Sequence, residues 1–180
     1  MLGSFLNGRV IIKVGDLTEE ETDAIVNAAN RSLLGGGGVD GTIHHKGGPQ
    51  ILEECKIIRK NDLPDGLPTG EAVITSGGNL AARHVVHTVG PIYGSNGGRD
   101  AELLANCYLN SILLAAQNDL KTVAFPSIST GAFGYPKHEA ARVASAAITE
   151  AINANITITE VRLVFYSVYD ANIFFKHCVF

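Results

Sequence analysis

The chain has 180 residues, 46% of them hydrophobic and 18% charged, which fits one domain over residues 1–180 and excludes a disordered chain. Lys plus Arg number 14 against 18 Asp plus Glu, a net charge of −4. That balance argues against a nucleic-acid binder, whose affinity comes mostly from cations on phosphates.

Taken in chain order, Val10–Val14 is rich in β-branched residues and stops at Gly15-Asp16, as a strand stops at its turn. Ala24–Asn27 reads as a short buried strand. Asn30–Gly38 is a Gly-rich loop. The apolar positions Ile43, Ile51, Leu52, Cys55 and Ile58 suit one or two helices broken near Gly47-Gly48-Pro49, and Asn61–Gly70 is loop. Ala72–Thr75 and His84–Val89 read as strands. A broad apolar face makes Ala101–Leu120 a helix. Thr122–Phe125 is a strand ended by Pro126, and the Ala-rich Glu139–Asn153 is helical. Val161–Tyr166 is a strand and Ala171–Cys178 a final short helix. Strands alternating with helices predict a single-domain α/β fold, a three-layer α/β/α sandwich around a central mixed sheet.

In such sheets ligands sit beyond the carboxyl ends of the strands. Four unusual segments fall there: Gly15-Asp16-Leu17, Asn27–Asn30, Gly35–Gly41 and Ser127–Tyr135. Gly and other small residues let several backbone N–H groups converge as an anion nest. A helix starting near Val39 adds N–H groups and the positive end of its dipole. An acidic protein can thus hold a diphosphate with few basic side chains. Taken alone, four glycines also make an ordinary flexible turn.

Other patterns fail on spacing. Gly36, Gly38 and Gly41 satisfy GxGxxG, but a dinucleotide-binding turn follows its strand immediately and this one does not. No Gly run leads into the Lys of a phosphate-binding P-loop, and His138-Glu139 does not continue to a second His as a zinc protease would. His84 and His87 point to opposite faces of a strand. The histidines therefore read as structural or surface residues, and no metal is expected. Cys55, Cys107 and Cys178 are odd in number and lack a CxxC pair. They read as reduced, core-packing thiols on helical faces, and point to a cytoplasmic protein. No secretory leader is apparent at residues 1–15, and no apolar run reaches the ~18 residues that span a membrane.

Together these segments resemble the macrodomain family, in its MacroD-type branch. The residues that carry the resemblance are Gly15-Asp16-Leu17, Asn27-Ala28-Ala29-Asn30, Gly35 to Ile43 with His44, His87-Thr88-Val89-Gly90-Pro91, and Ala124 to Pro136. They cover essentially the whole chain in order. The resemblance implies a cleft that binds ADP-ribose and hydrolyses esters of it, namely mono-ADP-ribosylated Asp and Glu on proteins and O-acetyl-ADP-ribose. It implies no cofactor, a monomer, and ADP-ribosylated proteins as partners.

Residue by residue, the resemblance implies that Asp16 accepts from the adenine amino group while the Leu17 N–H faces the ring. Gly37, Gly38 and Val39 line the first phosphate loop, Ala29 also binds substrate, and Ser129, Thr130, Gly131, Ala132 and Phe133 line the second phosphate loop, with the Phe133 ring against the distal ribose. Asn30 orients that ribose and Asp40 prepares the attacking water. Tyr166, with Tyr169 as alternative, stacks on adenine. Each has a plainer reading: Asp16 as a helix cap, Asn30 as a turn residue, Asp40 as a favourable charge at a helix N-terminus, and either Tyr as packing. His45-Lys46-Gly47 departs from the family's small Ala-rich turn and adds bulk and charge. The competing functions are a non-catalytic ADP-ribose reader, against which Asp40 argues, and a nucleic-acid accessory domain, against which the charge argues.

Overall fold

A computed structural model describes all 180 residues, Met1–Phe180. Seven strands form one sheet in the order β1 (Gly3–Phe5), β2 (Val10–Val14), β7 (Glu160–Phe165), β6 (Thr122–Phe125), β3 (Ala24–Ala28), β5 (His84–Thr88) and β4 (Ala72–Ser76). The central pairings from β2 through β7, β6 and β3 to β5 are parallel. Only the edges, β1 on β2 and β4 on β5, are antiparallel. The sheet is therefore mixed, and five carboxyl ends open on the same edge.

Strand alternation divides the core in two. Ala24, Val26, Val86, Val123, Phe125 and Leu163 point to one face. There they join α3 (Asp100–Gln117), α4 (Lys137–Ala154) and α5 (Val168–His177) in a cluster of 28 buried residues. Their neighbours Ile25, Val85, Ala124 and Val164 point to the other face. There they meet Ile43 of α1 (Gly38–Gly47) and Ile51 and Cys55 of α2 (Pro49–Asn61) in a cluster of 13. The three-layer sandwich follows. No helix is long and apolar enough to cross a membrane.

Gly48 separates α1 from α2 at φ 75°, with Pro49 opening the second helix. A side chain there would meet the Asn79 amide, so the break falls where Gly47-Gly48-Pro49 predicts it. Three features differ from the sequence reading. The edge strand β1 carries no sequence signal, because three residues show no periodicity. Tyr166 lies just past β7 rather than inside it, and α5 starts at Val168, capped by the Ser167 hydroxyl. Cys55 and Cys107 are buried, while Cys178 is the half-buried C-cap of α5, off the helical face yet packed against the larger core cluster.

Candidate functional site

A cavity of about 860 Å³ opens at the carboxyl edge of the sheet. Its lining follows the spatial order of the strands. Asp16 and Leu17 follow β2, Tyr166 follows β7, the Ser127–Phe133 loop follows β6, and Ala29 and Asn30 follow β3. Four adjacent strands at ~4.8 Å spacing make a slot roughly 14 Å long. Helix α1 runs along one wall. Asp40 in its first turn lines the cavity near Asn30, while Lys46 in its last turn reaches Asp16.

The middle of the slot is built of backbone. Gly37 caps α1 without any side-chain hydrogen bond, so the first-turn N–H groups of the helix are left for a ligand. On the opposite wall, Thr130, Gly131, Ala132 and Phe133 donate their N–H groups to no protein acceptor. The loop is held by other groups, through Gly134 N–H to Gly131 O, Tyr135 N–H to Ser129 O, Tyr93 N–H to Phe133 O and the Thr130 hydroxyl to Ser127 Oγ. Ser129 sits at φ 63°, with its hydroxyl buried and unpartnered. It packs against Gly90, where a Cβ would collide with Ser129 Oγ. Two rows of unpaired amides facing one cavity suit an anion.

At one end, Asp16 Oδ1 accepts from the Thr18 N–H at 2.9 Å and from the Thr18 hydroxyl. Asp16 Oδ2 accepts from Lys46 Nζ at 2.7 Å. The Lys46 hydrogen bond first, then Thr18, hold the Asp16 carboxyl below its ordinary range. Asp16 is thus the N-cap of a 3₁₀ turn, Leu17–Glu19, as its plainer reading has it, and also a wall of the cavity. Tyr166 lines the same end and is 91% exposed, leaving its side chain open to a flat ligand. Tyr169 does not line the cavity; its ring lies under the Lys137 ammonium at 5.6 Å.

At the other end, Asn30 Oδ1 accepts from the Ser32 N–H at 3.0 Å, and Asn30 Nδ2 donates one hydrogen to Gly35 O at 2.9 Å. Its second amide hydrogen is free. Asp40 is buried; Asn27 Nδ2 donates to Asp40 Oδ1 at 2.6 Å, and His44 Nε2 stands 3.4 Å from that oxygen. Asp40 Oδ2 has no partner. A Cβ at Gly36 would lie 3.0 Å from Asp40 Oδ2 and 3.1 Å from Asn30 Nδ2. A free acceptor and a free donor therefore converge beside one glycine.

The structure thus brings Asp16, Leu17, Ala29, Asn30, Gly37, Gly38, Val39, Asp40, Ser129, Thr130, Gly131, Ala132, Phe133 and Tyr166 to one cavity. Sequence reasoning missed Lys137 and Asp170, which also line it and pair at 2.5 Å. They come from α4 and α5, and no local pattern joins them. It also gave no role to Asn27 and His87, although both lie in segments that carried the resemblance. No group of three or more His, Cys, Asp or Glu side chains is set to hold a metal ion.

Comparison with known proteins agrees on one family. Residues 26–144 match the Macro domain. A Salmonella typhimurium protein named O-acetyl-ADP-ribose deacetylase is 44% identical over 169 residues, covering 94% of this chain and 93% of that one. The solved structure of the Oceanobacillus iheyensis macrodomain with ADP is 49% identical at a TM-score of 0.88, covering 92% of this chain and 87% of that one. A Trypanosoma brucei macrodomain in complex with ADP-ribose is 35% identical at a TM-score of 0.84, covering 94% of this chain and 68% of that one.

Proposed function

Because the chain belongs to the Macro domain family, we propose that it binds ADP-ribose along the slot and hydrolyses esters of its distal ribose. Proteins that carry ADP-ribose on Asp or Glu, and O-acetyl-ADP-ribose, are the substrates of this reading. The likeness to a protein named O-acetyl-ADP-ribose deacetylase and to a macrodomain in complex with ADP-ribose supports it.

The order of groups along the slot matches the order of groups in the ligand. Asp16 accepts from the adenine amino group beside the Leu17 N–H, and Tyr166 covers the ring. The diphosphate occupies the two rows of amides, Gly37–Val39 and Ser129–Phe133. The distal ribose lies against Ala29, Asn30 and Phe133. An acidic protein then needs no cluster of Lys and Arg, because oriented amides and a helix N-terminus supply the positive potential.

The observation that carries the hydrolytic reading is the unpartnered Asp40 Oδ2, buried in the cavity wall beside the free Asn30 amide hydrogen. A water placed there donates a proton to Asp40 as its oxygen attacks the acyl carbon. The ester C–O bond then breaks, the carboxylic acid leaves, and the ribose oxygen recovers a proton. Asn30 orients the ribose and the water, so positioning supplies part of the rate.

The test is a single-turnover assay with O-acetyl-ADP-ribose and with an Asp- or Glu-modified protein. Asp40→Ala is expected to lower kcat by about 10²–10⁴-fold, the usual share of a general base, with ADP-ribose affinity nearly kept. A parent chain that binds ADP-ribose but hydrolyses neither ester makes the protein a reader.

A further inference from the structure

Behind Asp40 lies a chain of buried polar groups that the reaction as derived does not use. Asn27 of β3 and His87 of β5 are directly opposite in the parallel register. Asn27 Nδ2 gives one hydrogen to Asp40 Oδ1 at 2.6 Å and faces His87 Nδ1 at 3.1 Å. His87 Nε2 lies 2.9 Å from Thr75 Oγ1, whose own proton goes to the Ser76 carbonyl at 3.0 Å.

These partners fix the imidazole. Thr75 has spent its proton, so Nε2 must donate to it, and Nδ1 is left as an acceptor. That acceptor takes the second hydrogen of Asn27 Nδ2. Both amide hydrogens are then committed, and the Asn27 amide cannot turn over. Complete burial keeps the ring neutral, its pKa pushed down to about 3, with His44 adding to the shift and Glu54 opposing it.

We propose that His87 is a positioning residue for the hydrolysis: through Asn27 it holds Asp40 Oδ1 as a hydrogen-bond acceptor and leaves Oδ2 free toward the water. This rests on the reading that Asp40 prepares the water. Without an acceptor at position 87, the Asn27 amide can reverse and present its carbonyl to Asp40. Two facing oxygens favour the protonated carboxyl, which is no longer a base. The other ionisable groups around Asp40 are His44 on its own helix and Cys55 on α2. The Cys55 thiol lies 3.9 Å from His87 Nε2 and is pushed up to about 12 by burial, then by Asp40 and Glu54, so it stays neutral.

His87→Leu removes the acceptor at similar volume. His87→Gln can restore it, with its carbonyl toward Asn27 and its amide toward Thr75. Parent, Asp40→Ala and both variants are compared by single-turnover hydrolysis of O-acetyl-ADP-ribose from pH 5 to 8, and by calorimetric titration with ADP-ribose. His87→Leu is expected to lose about ten- to a hundredfold in kcat, the range seen when the hydrogen-bond partner behind a metal-ligating side chain is removed. Its affinity should stay within about twofold, and the acid limb of its pH–rate profile should move to higher pH. His87→Gln should recover most of the rate and the parent profile.

An active parent with a slow Asp40→Ala, but a His87→Leu of unchanged rate and profile, overturns this inference alone. A His87→Gln as slow as His87→Leu also overturns it. A parent that hydrolyses no ester overturns the hydrolytic reading and this inference with it. Should His87→Leu not melt cooperatively, Thr75→Val takes its place. Loss of rate with a raised acid limb supports the inference, and parent behaviour overturns it.

Discussion

The two faces of the sheet are built from the same strands and do different work. The face under α3, α4 and α5 buries 28 apolar residues, with Ser111 and Ser145 among the few buried polar groups on those helices. The face under α1 and α2 buries only 13. Its strands, helices and loops carry Asn27, Asp40, Thr75 and His87, all buried and polar. Apolar burial stabilises in proportion to area and without direction, whereas buried polar groups cost free energy unless each finds a partner of the right geometry. The larger face therefore supplies most of the stability that lets the smaller one hold an unpaired carboxylate oxygen.

Matched truncations separate the faces. Ile148 on α4 and Ile43 on α1 are both fully buried. Either change to Ala should cost about 2–5 kcal/mol. At about 2–4 °C per kcal/mol for a chain of this size, Tm falls by roughly 10 °C. Only Ile43→Ala should also slow ester hydrolysis, since Ile43 seats the helix that carries Asp40. Equal loss of turnover in both, measured well below Tm, would falsify the division of labour.

The next largest effect belongs to the Asp16 end. Asp16→Ala should weaken ADP-ribose binding by about 1–3 kcal/mol in a calorimetric titration, because a ligand donor loses its partner. It should also relax the preference for adenine over other bases. Unchanged affinity and selectivity would leave Asp16 as a cap of its 3₁₀ turn and nothing more.

The smallest effect concerns Lys46, which shares Asp16 Oδ2 with any incoming amino group. Its ammonium is solvated, and exposed ion pairs contribute little. Lys46→Ala should change ADP-ribose affinity by no more than about fivefold and flatten its salt dependence. A larger change, measured at two ionic strengths, would make Lys46 part of the binding site rather than its visitor.

What the sequence disclosed follows from locality. The strand-end loops, the break at Gly48 and the alternation that splits the core are all written within a few consecutive residues. So are the two Gly-rich loops, while Asp16, Asn30 and Asp40 stand out only through the likeness to a family, their local reading being a cap, a turn and a helix-end charge. What it hid needs register. Asn27 and His87 meet only because β3 and β5 pair with those two residues opposite one another. Their separation of 60 positions leaves no local trace, so His87 reads as an ordinary structural histidine. The Lys137–Asp170 pair at the cavity wall is hidden for the same reason. Lys46 is visible as an oddity of sequence, but only the path of α1 shows that it reaches Asp16.

The amides of the central slot have a further consequence. A peptide N–H neither gains nor loses a proton between pH 4 and 10, and no acetyl or methyl transferase can cancel its dipole. An anion seated between Gly37 and Phe133 would be gripped by groups that cellular chemistry cannot adjust. Any control over occupancy must then come from the supply of the ligand itself, or from side chains around the slot such as Lys46 on Asp16 and Lys137 in its wall.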